Sequence, residues 1–99
     1  MPDFQIRRDL QGTKGRYLAQ AEGVDGVAQM VFTQRTATEF SVDHTEVPES
    51  LRGMGVANLL AARVIADARA AGHKIVPICP FFRSYVARHK EETADVIAA

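Results

Sequence analysis

The first half of the chain alternates. FQIRR near the start, GRYLAQAEG, GVAQMVFTQ and TEFSVDHTEV each carry apolar residues at strand spacing over strand length. Short polar or glycine-bearing breaks separate them, at Gly12 to Gly15, at Val24, Asp25 and Gly26, and at Arg35 to Thr38. Asp25 followed by Gly26 predicts a tight turn between antiparallel neighbours. Connections this short predict a meander, because a parallel crossover needs about a dozen residues.

The second half changes period. Val56, Ala57, Leu60, Ala61, Val64, Ile65 and Ala68 recur at steps of three and four, with Asn58, Arg63, Asp67 and Arg69 on the other side. The spacing predicts a helix over 56–70 with one buried stripe. Gly72 supplies a left-handed stop, and His73 and Lys74 lie near the negative end of the helix dipole. KIVPIC predicts a buried strand in which Pro77 removes one ladder donor, implying a break in pairing or an edge. Pro80 suits a first helical position, which makes Cys79 the predicted N-cap of a second helix carrying Phe81, Phe82, Tyr85, Val86 and His89 at helical spacing. The terminal KEETADVIAA is assigned to no element. The fold class is α+β (mixed α/β): four antiparallel strands, a helix, a fifth strand parallel to the fourth through a right-handed crossover from Phe40 to Ile78, and a final helix.

Ninety-nine residues with 46% apolar content suit one domain, residues 1–99, with a modest core. Twelve Lys plus Arg balance twelve Asp plus Glu, so the chain lacks the broad basic footprint of nucleic-acid or anionic-membrane binding. The amino terminus MPDFQIRRDL has no apolar signal-peptide core, and no run approaches the roughly 20 apolar residues needed to span a bilayer. The expectation is a cytoplasmic protein. One cysteine, Cys79, excludes an internal disulfide and leaves a free thiol. Its spacing from His73 and His89 matches no zinc site, so no metal is expected, and both histidines are expected to be solvated.

Two glycines stand beside the helix start in EVPESLRGMGVANLL. Glycine weakens a helix interior by roughly 1 kcal/mol relative to alanine, so the pair points to a backbone that something approaches closely. The stretch lacks the Gly-Lys-Ser/Thr of a Walker loop and the three spaced glycines of a dinucleotide fingerprint. It keeps the physics those loops share: outward-pointing amides at a helix N-terminus, with no side chain in the way.

Arg52, Gly53, Met54, Gly55, Val56 and Ala57 resemble the acetyl-coenzyme A pyrophosphate loop of the GNAT superfamily of N-acetyltransferases, whose pattern is Gln or Arg, x, x, Gly, x, then Gly or Ala. DHTEVPESLRGMGVA followed by VPICPFFRSYVARH is similar to the short single-domain branch with a cysteine after the fifth strand, over about residues 3–90. The resemblance implies a GNAT-like fold in which strands four and five splay apart around the pantetheine arm. It also implies acetyl-coenzyme A as donor, held by Val47 and Arg52 to Ala57, and an amine as acceptor.

Cys79 at a helix N-cap faces a dipole that stabilises a thiolate. In the branch this cysteine is the acetyl acceptor or a thiol near the thioester; the plainer reading is a small buried hydrophobe. His44 shares a face with Phe40 and Val42 by alternation, and it is either a general base or a structural histidine. Asp43 and Glu46 are rival bases, and Glu46 matches the place where many relatives keep a glutamate. Tyr85 falls where GNAT enzymes often hold a tyrosine that protonates the coenzyme thiolate; the rival reading, simple packing with Phe81 and Phe82, explains it better. Larger members wall the acceptor site with helices between the first two strands, whereas only Asp9 to Lys14 joins them here. An open face suits a protein amine or polyamine, or a site completed by a partner subunit. A second function fits the same loop: a non-catalytic acyl-coenzyme A binding module that recruits a protein.

Overall fold

The computed structural model describes residues 3–98. Strands β1 (Phe4–Gln11), β2 (Lys14–Ala21), β3 (Val24–Gln34) and β4 (Glu39–Glu46) run antiparallel in chain order, and β5 (Lys74–Pro77) joins β4 in parallel. Helix α1 (Val56–Ala71) makes the crossover; α2 (Pro80–Arg88) follows β5 and leads to a single turn, α3 (Lys90–Thr93). This is the α+β order that the hydrophobic pattern predicts.

The helices cover one face of the sheet. Of the seven stripe positions on α1, all but Ala57 are buried, and Gly72 closes the helix at φ 72°, donating its N–H to the Ala68 and Arg69 carbonyls. Phe32 centres the sheet side, with ring centroids 5.5 Å from Tyr17 and 5.4 Å from Phe40. Its cross-strand neighbour is Gly15, where a Cβ would meet Phe32 Cζ at 2.1 Å. Gly15 is therefore glycine because the ring occupies the space above its Cα.

The second turn lies earlier than Asp25 and Gly26. Ala21 pairs with Val24, so Glu22 and Gly23 make the turn, with Gly23 at φ 79°. Asp25 and Gly26 fall inside β3 as a bulge: between Ala19↔Ala28 and Ala21↔Val24, β2 advances two residues and β3 four. Gly26 takes φ 98° there, and a Cβ on it would meet Ser50 Oγ at 2.6 Å. Ser50 donates to the Asp25 carbonyl at 2.7 Å. The bulge thus docks the 3-10 turn Glu49–Leu51 that precedes α1.

Residues 90–98 finish the far edge. After α3, the Ile75 N–H donates to the Val96 carbonyl at 2.7 Å and the Ala98 N–H to the Ile75 carbonyl at 2.9 Å, a parallel bridge beside β5. Arg69 reaches from α1 to Asp95 with two parallel bonds, Nε to Oδ2 at 2.7 Å and Nη2 to Oδ1 at 2.9 Å. It also donates to the Glu92 carbonyl, and Lys74 donates to the Asp95 carbonyl. The start of β5 is held on both sides. Among the described residues no helix is long and apolar enough to cross a membrane.

Gly15→Ala is expected to push Phe32 off its seat at a cost of about 1–3 kcal/mol, read as the shift of the urea midpoint, and Phe32→Leu in the same chain should recover part of the loss. The Arg69 hydrogen bond holds the Asp95 carboxyl below its ordinary value of 3.8. A lowered folded-state value contributes stability above the unfolded value and loses it as pH falls. Thermal melts taken downward through pH 3.8 should therefore show wild type losing more stability than Asp95→Asn.

Candidate functional site

β4 ends at Glu46, and Val47 and Pro48 lead into the 3-10 turn, anchored by the fully buried Leu51. Gly53 at φ 80° and Gly55 at φ 73° then turn the backbone left-handed twice in three residues. That conformation costs a residue with a Cβ roughly 1–2 kcal/mol, so the backbone alone calls for glycine at both. A second property goes further: among the described residues, apart from each glycine and its chain neighbours, no heavy atom lies within 4 Å of where a Cβ would stand on either. The space beside both peptide units is open.

Gly55 caps α1 without a side-chain hydrogen bond. The first α1 bond runs from the Leu59 N–H to the Gly55 carbonyl at 3.2 Å, so the amides of Val56, Ala57 and Asn58 have no acceptor within the helix. They border a groove of about 240 Å³ lined by Val47, Leu51, Arg52, Gly53, Gly55, Val56, Ala57, Asn58 and Phe81. Arg52 is the one charged residue in that lining, and the first turn of α1 carries no acid. A helix N-terminus with one guanidinium and no opposing carboxylate suits an anion, phosphate above all. Met54 does not line the groove; it packs against the core. Leu51, Asn58 and Phe81 join the lining beyond the residues that the sequence assigns to it; Asn58 reads as the polar side of α1 and Phe81 as an apolar position of α2 until α2 is folded back beside the loop.

A larger groove, about 420 Å³, lies at the other end of α1 against Arg8, Tyr17, Asp67 and His73, and shares no residue with the loop. Its central contact is a structural bond, Tyr17 hydroxyl to Asp67 Oδ2 at 2.7 Å. Burial, and then the Asp67 carboxylate, push the Tyr17 hydroxyl far above its usual range. That groove offers no such run of free amides.

Pairing of β4 with β5 stops at Val42↔Pro77. The N–H groups of Ile78 and Cys79 both bond to the Val42 carbonyl, at 3.1 and 2.8 Å, while β4 continues to Glu46 and, among the described residues, no strand pairs with it on that side. The two strands part as Pro77 predicts. Cys79 caps α2 with Pro80 at the first position, is 3% exposed, and sits with Sγ 3.2 Å from Thr45 Oγ1.

Thr45, rather than His44, faces Cys79 because β4 carries a bulge. Val31 pairs with His44 and Phe32 with Val42, so one step on β3 spans two on β4 and Asp43 is left over. The parity expected for His44, on the face of Phe40 and Val42, is therefore reversed. Thr45 lies opposite Met30 on the helical face, while His44 and Glu46 lie opposite Val31 and Gln29 on the uncovered face. Their side chains are 64% and 63% exposed, 3.8 Å apart, and Gln29 donates to Glu46 at 3.1 Å. The Asp43 carboxylate pins the bulge, accepting from Thr33 at 2.5 Å and Ser41 at 2.6 Å. Alternation counts residues and cannot register an extra one, which is why Thr45 escapes it.

Tyr85 lies away from the loop, stacked on His89 at 4.2 Å between centroids and lining a hollow with Ala62, Ile65 and Arg69. His89 and His73 are half-buried rather than solvated, His73 with its ring edge-on to Phe40 at 6.3 Å. Among the described residues no group of three or more His, Cys, Asp or Glu is placed to hold a metal ion.

A family model described as GCN5-related N-acetyl-transferase matches residues 16–96, from β2 to the tail beside β5. No curated protein matches the chain significantly. The match spans every element that builds the groove and the strand divergence, and the chain belongs to the GCN5-related N-acetyltransferase family.

Proposed function

We propose that this chain is an acetyl-coenzyme A dependent N-acetyltransferase acting on an amine of a protein or polyamine. The observation that carries the reading is the pair of positive-φ glycines with open space beside them at the N-terminus of α1, in a chain of this family. Arg52 and the amides from Gly53 to Ala57 would hold the pyrophosphate, with Asn58 and Phe81 at the rim. Val47 and the unpaired edge of β4 beyond Val42 would receive the pantetheine arm.

Acetyl-coenzyme A supplies an activated acyl group when bound. The chain's own residues must orient it and manage the amine's proton. Cys79 and Thr45 close the helical side of the divergence, and Cys79 is assigned to the thioester end. His44 and Glu46 stand on the uncovered face, the side open to a bulky acceptor. An exposed imidazole beside a carboxylate can take a proton from an arriving ammonium, so His44 is assigned as base and Glu46 as the group that orients it or replaces it.

The test is binding followed by turnover. Coenzyme A or acetyl-coenzyme A at 100 times its dissociation constant should stabilise the chain by about 2.7 kcal/mol in thermal shift, ATP should not match it, and Gly55→Val should lose the response. His44→Gln should keep binding and lower acetylation of an amine panel by about 10²–10⁴-fold. Cys79→Ser should keep binding and lose rate, and intact mass after quenching reports whether an acetyl group rests on the thiol. Tight binding with no transfer to any protein or small amine would mark the chain as a binding module instead, and a response to ATP alone would overturn the reading.

A further inference from the structure

The two edges of the sheet are finished differently. β5 is four residues long and its outer side is taken by the tail at Ile97. β1 is eight residues long and pairs with β2 at every position from Phe4↔Ala21 to Gln11↔Lys14 without a bulge. It contains neither proline nor lysine. Among the described residues nothing pairs with its other side. A straight edge of this length offers a row of unpaired amides and carbonyls, the template for strand addition.

We propose that β1 pairs antiparallel with β1 of a second copy, with a two-fold axis through Arg8, joining two five-stranded sheets into one. The side-chain pattern of FQIRRDLQ selects both the partner and the register. Antiparallel partners share a face, so a two-fold pair joins residues of equal parity. Centred on Arg8, Arg7 faces Asp9 twice on the uncovered face, Ile6 faces Leu10 twice on the helical face, and Gln5 faces Gln11 twice. Centred on Arg7, Arg7 meets itself and Ile6 faces Arg8. Centred on Asp9, Asp9 meets itself and Leu10 faces Arg8. Of these, the first alone sets opposite charges and apolar side chains against one another, and directly opposed like charges are unfavourable.

The pair of arginines on the axis is compatible with this register. Each Arg8 guanidinium lies 5.0 Å from the centroid of Phe32, drawn inward over β3 and away from the edge. Asp9, 3.7 Å from Arg16 of its own strand pair, would sit between that arginine and the second copy's Arg7. Leu10, 38% exposed in the single chain, would be covered by the second copy's Ile6. The axis is perpendicular to the sheet, so both helical layers fall on one side, and no residue of β1 lines the groove at Arg52.

Sedimentation equilibrium of the full chain over a concentration series should show the mass rising toward twice 10.8 kDa. Arg7→Asp and Asp9→Arg each set like charges opposite at both pairs, and each alone should remain at the mass of one chain. Mixing the two variants restores opposite charges at both pairs, so the mixture should dimerise. Circular dichroism of each variant checks that it is folded. Arg8→Cys should form a disulfide between copies on oxidation and Arg7→Cys should not, because only position 8 meets itself, at a separation of about 4.5–5.5 Å that a disulfide can span. Wild type that stays at one chain's mass throughout, single variants that still dimerise, or a mixture that stays monomeric overturns the proposal.

Discussion

β4 has a strand on both sides only as far as Val42. Beyond it, β3 continues alongside, but β5 has reached Pro77, which has no N–H to offer, and the chain folds Ile78 and Cys79 back onto the Val42 carbonyl before entering α2. β5 pairs with β4 over only four residues, so a divergence there needs support at the end that stays closed. That support comes from the tail. Val96 and Ala98 bond Ile75 on its free side, and Arg69 ties Asp95 and the Glu92 carbonyl to α1. β5 is thus gripped where it begins and released where it ends.

The loop depends on the same arrangement seen from β4. Because β4 runs on to Glu46 past the divergence, Val47 and Pro48 deliver the chain to the 3-10 turn. The Ser50 bond to the β3 bulge then fixes where α1 starts. The amides of α1 therefore open beside the mouth of the divergence, and Phe81 of α2 forms the other wall of the groove. A diphosphate at the amides and an extended arm along the bare edge of β4 require these two features to be neighbours. One crossover connection makes them so. The β4 bulge adds a further consequence: it sends Thr45 inward to Cys79 and His44 with Glu46 outward, so thiol and imidazole lie on opposite faces of one strand.

Much of this was legible in the sequence where a feature is local and periodic. The α1 stripe, the left-handed stop at Gly72, the cap at Cys79 with Pro80 after it, and the interruption at Pro77 each follow from the chemistry of one or a few adjacent residues. What escaped depends on pairing across the sheet. Asp25 and Gly26 carry strong turn chemistry, yet the turn formed at Glu22 and Gly23, and the other pair became the bulge that receives Ser50. Asp43 became a bulge through hydroxyls of Thr33 and Ser41, one of them on another strand. The tail has no strong period because a single bridge and the side chains of Arg69 and Lys74 hold it. Gly15 looked like loop punctuation; its necessity comes from Phe32, seventeen residues on.

The central claim is that free amides at the start of α1, bared by Gly53 and Gly55, receive a diphosphate. Backbone amide NMR of the full chain titrated with coenzyme A tests it most directly. The largest shifts are predicted at Gly53, Gly55, Val56, Ala57 and Asn58, with smaller ones along Thr45 to Val47. Shifts centred instead on Arg8, Tyr17 and His73, or amides of the loop unmoved at saturating ligand, would contradict the account.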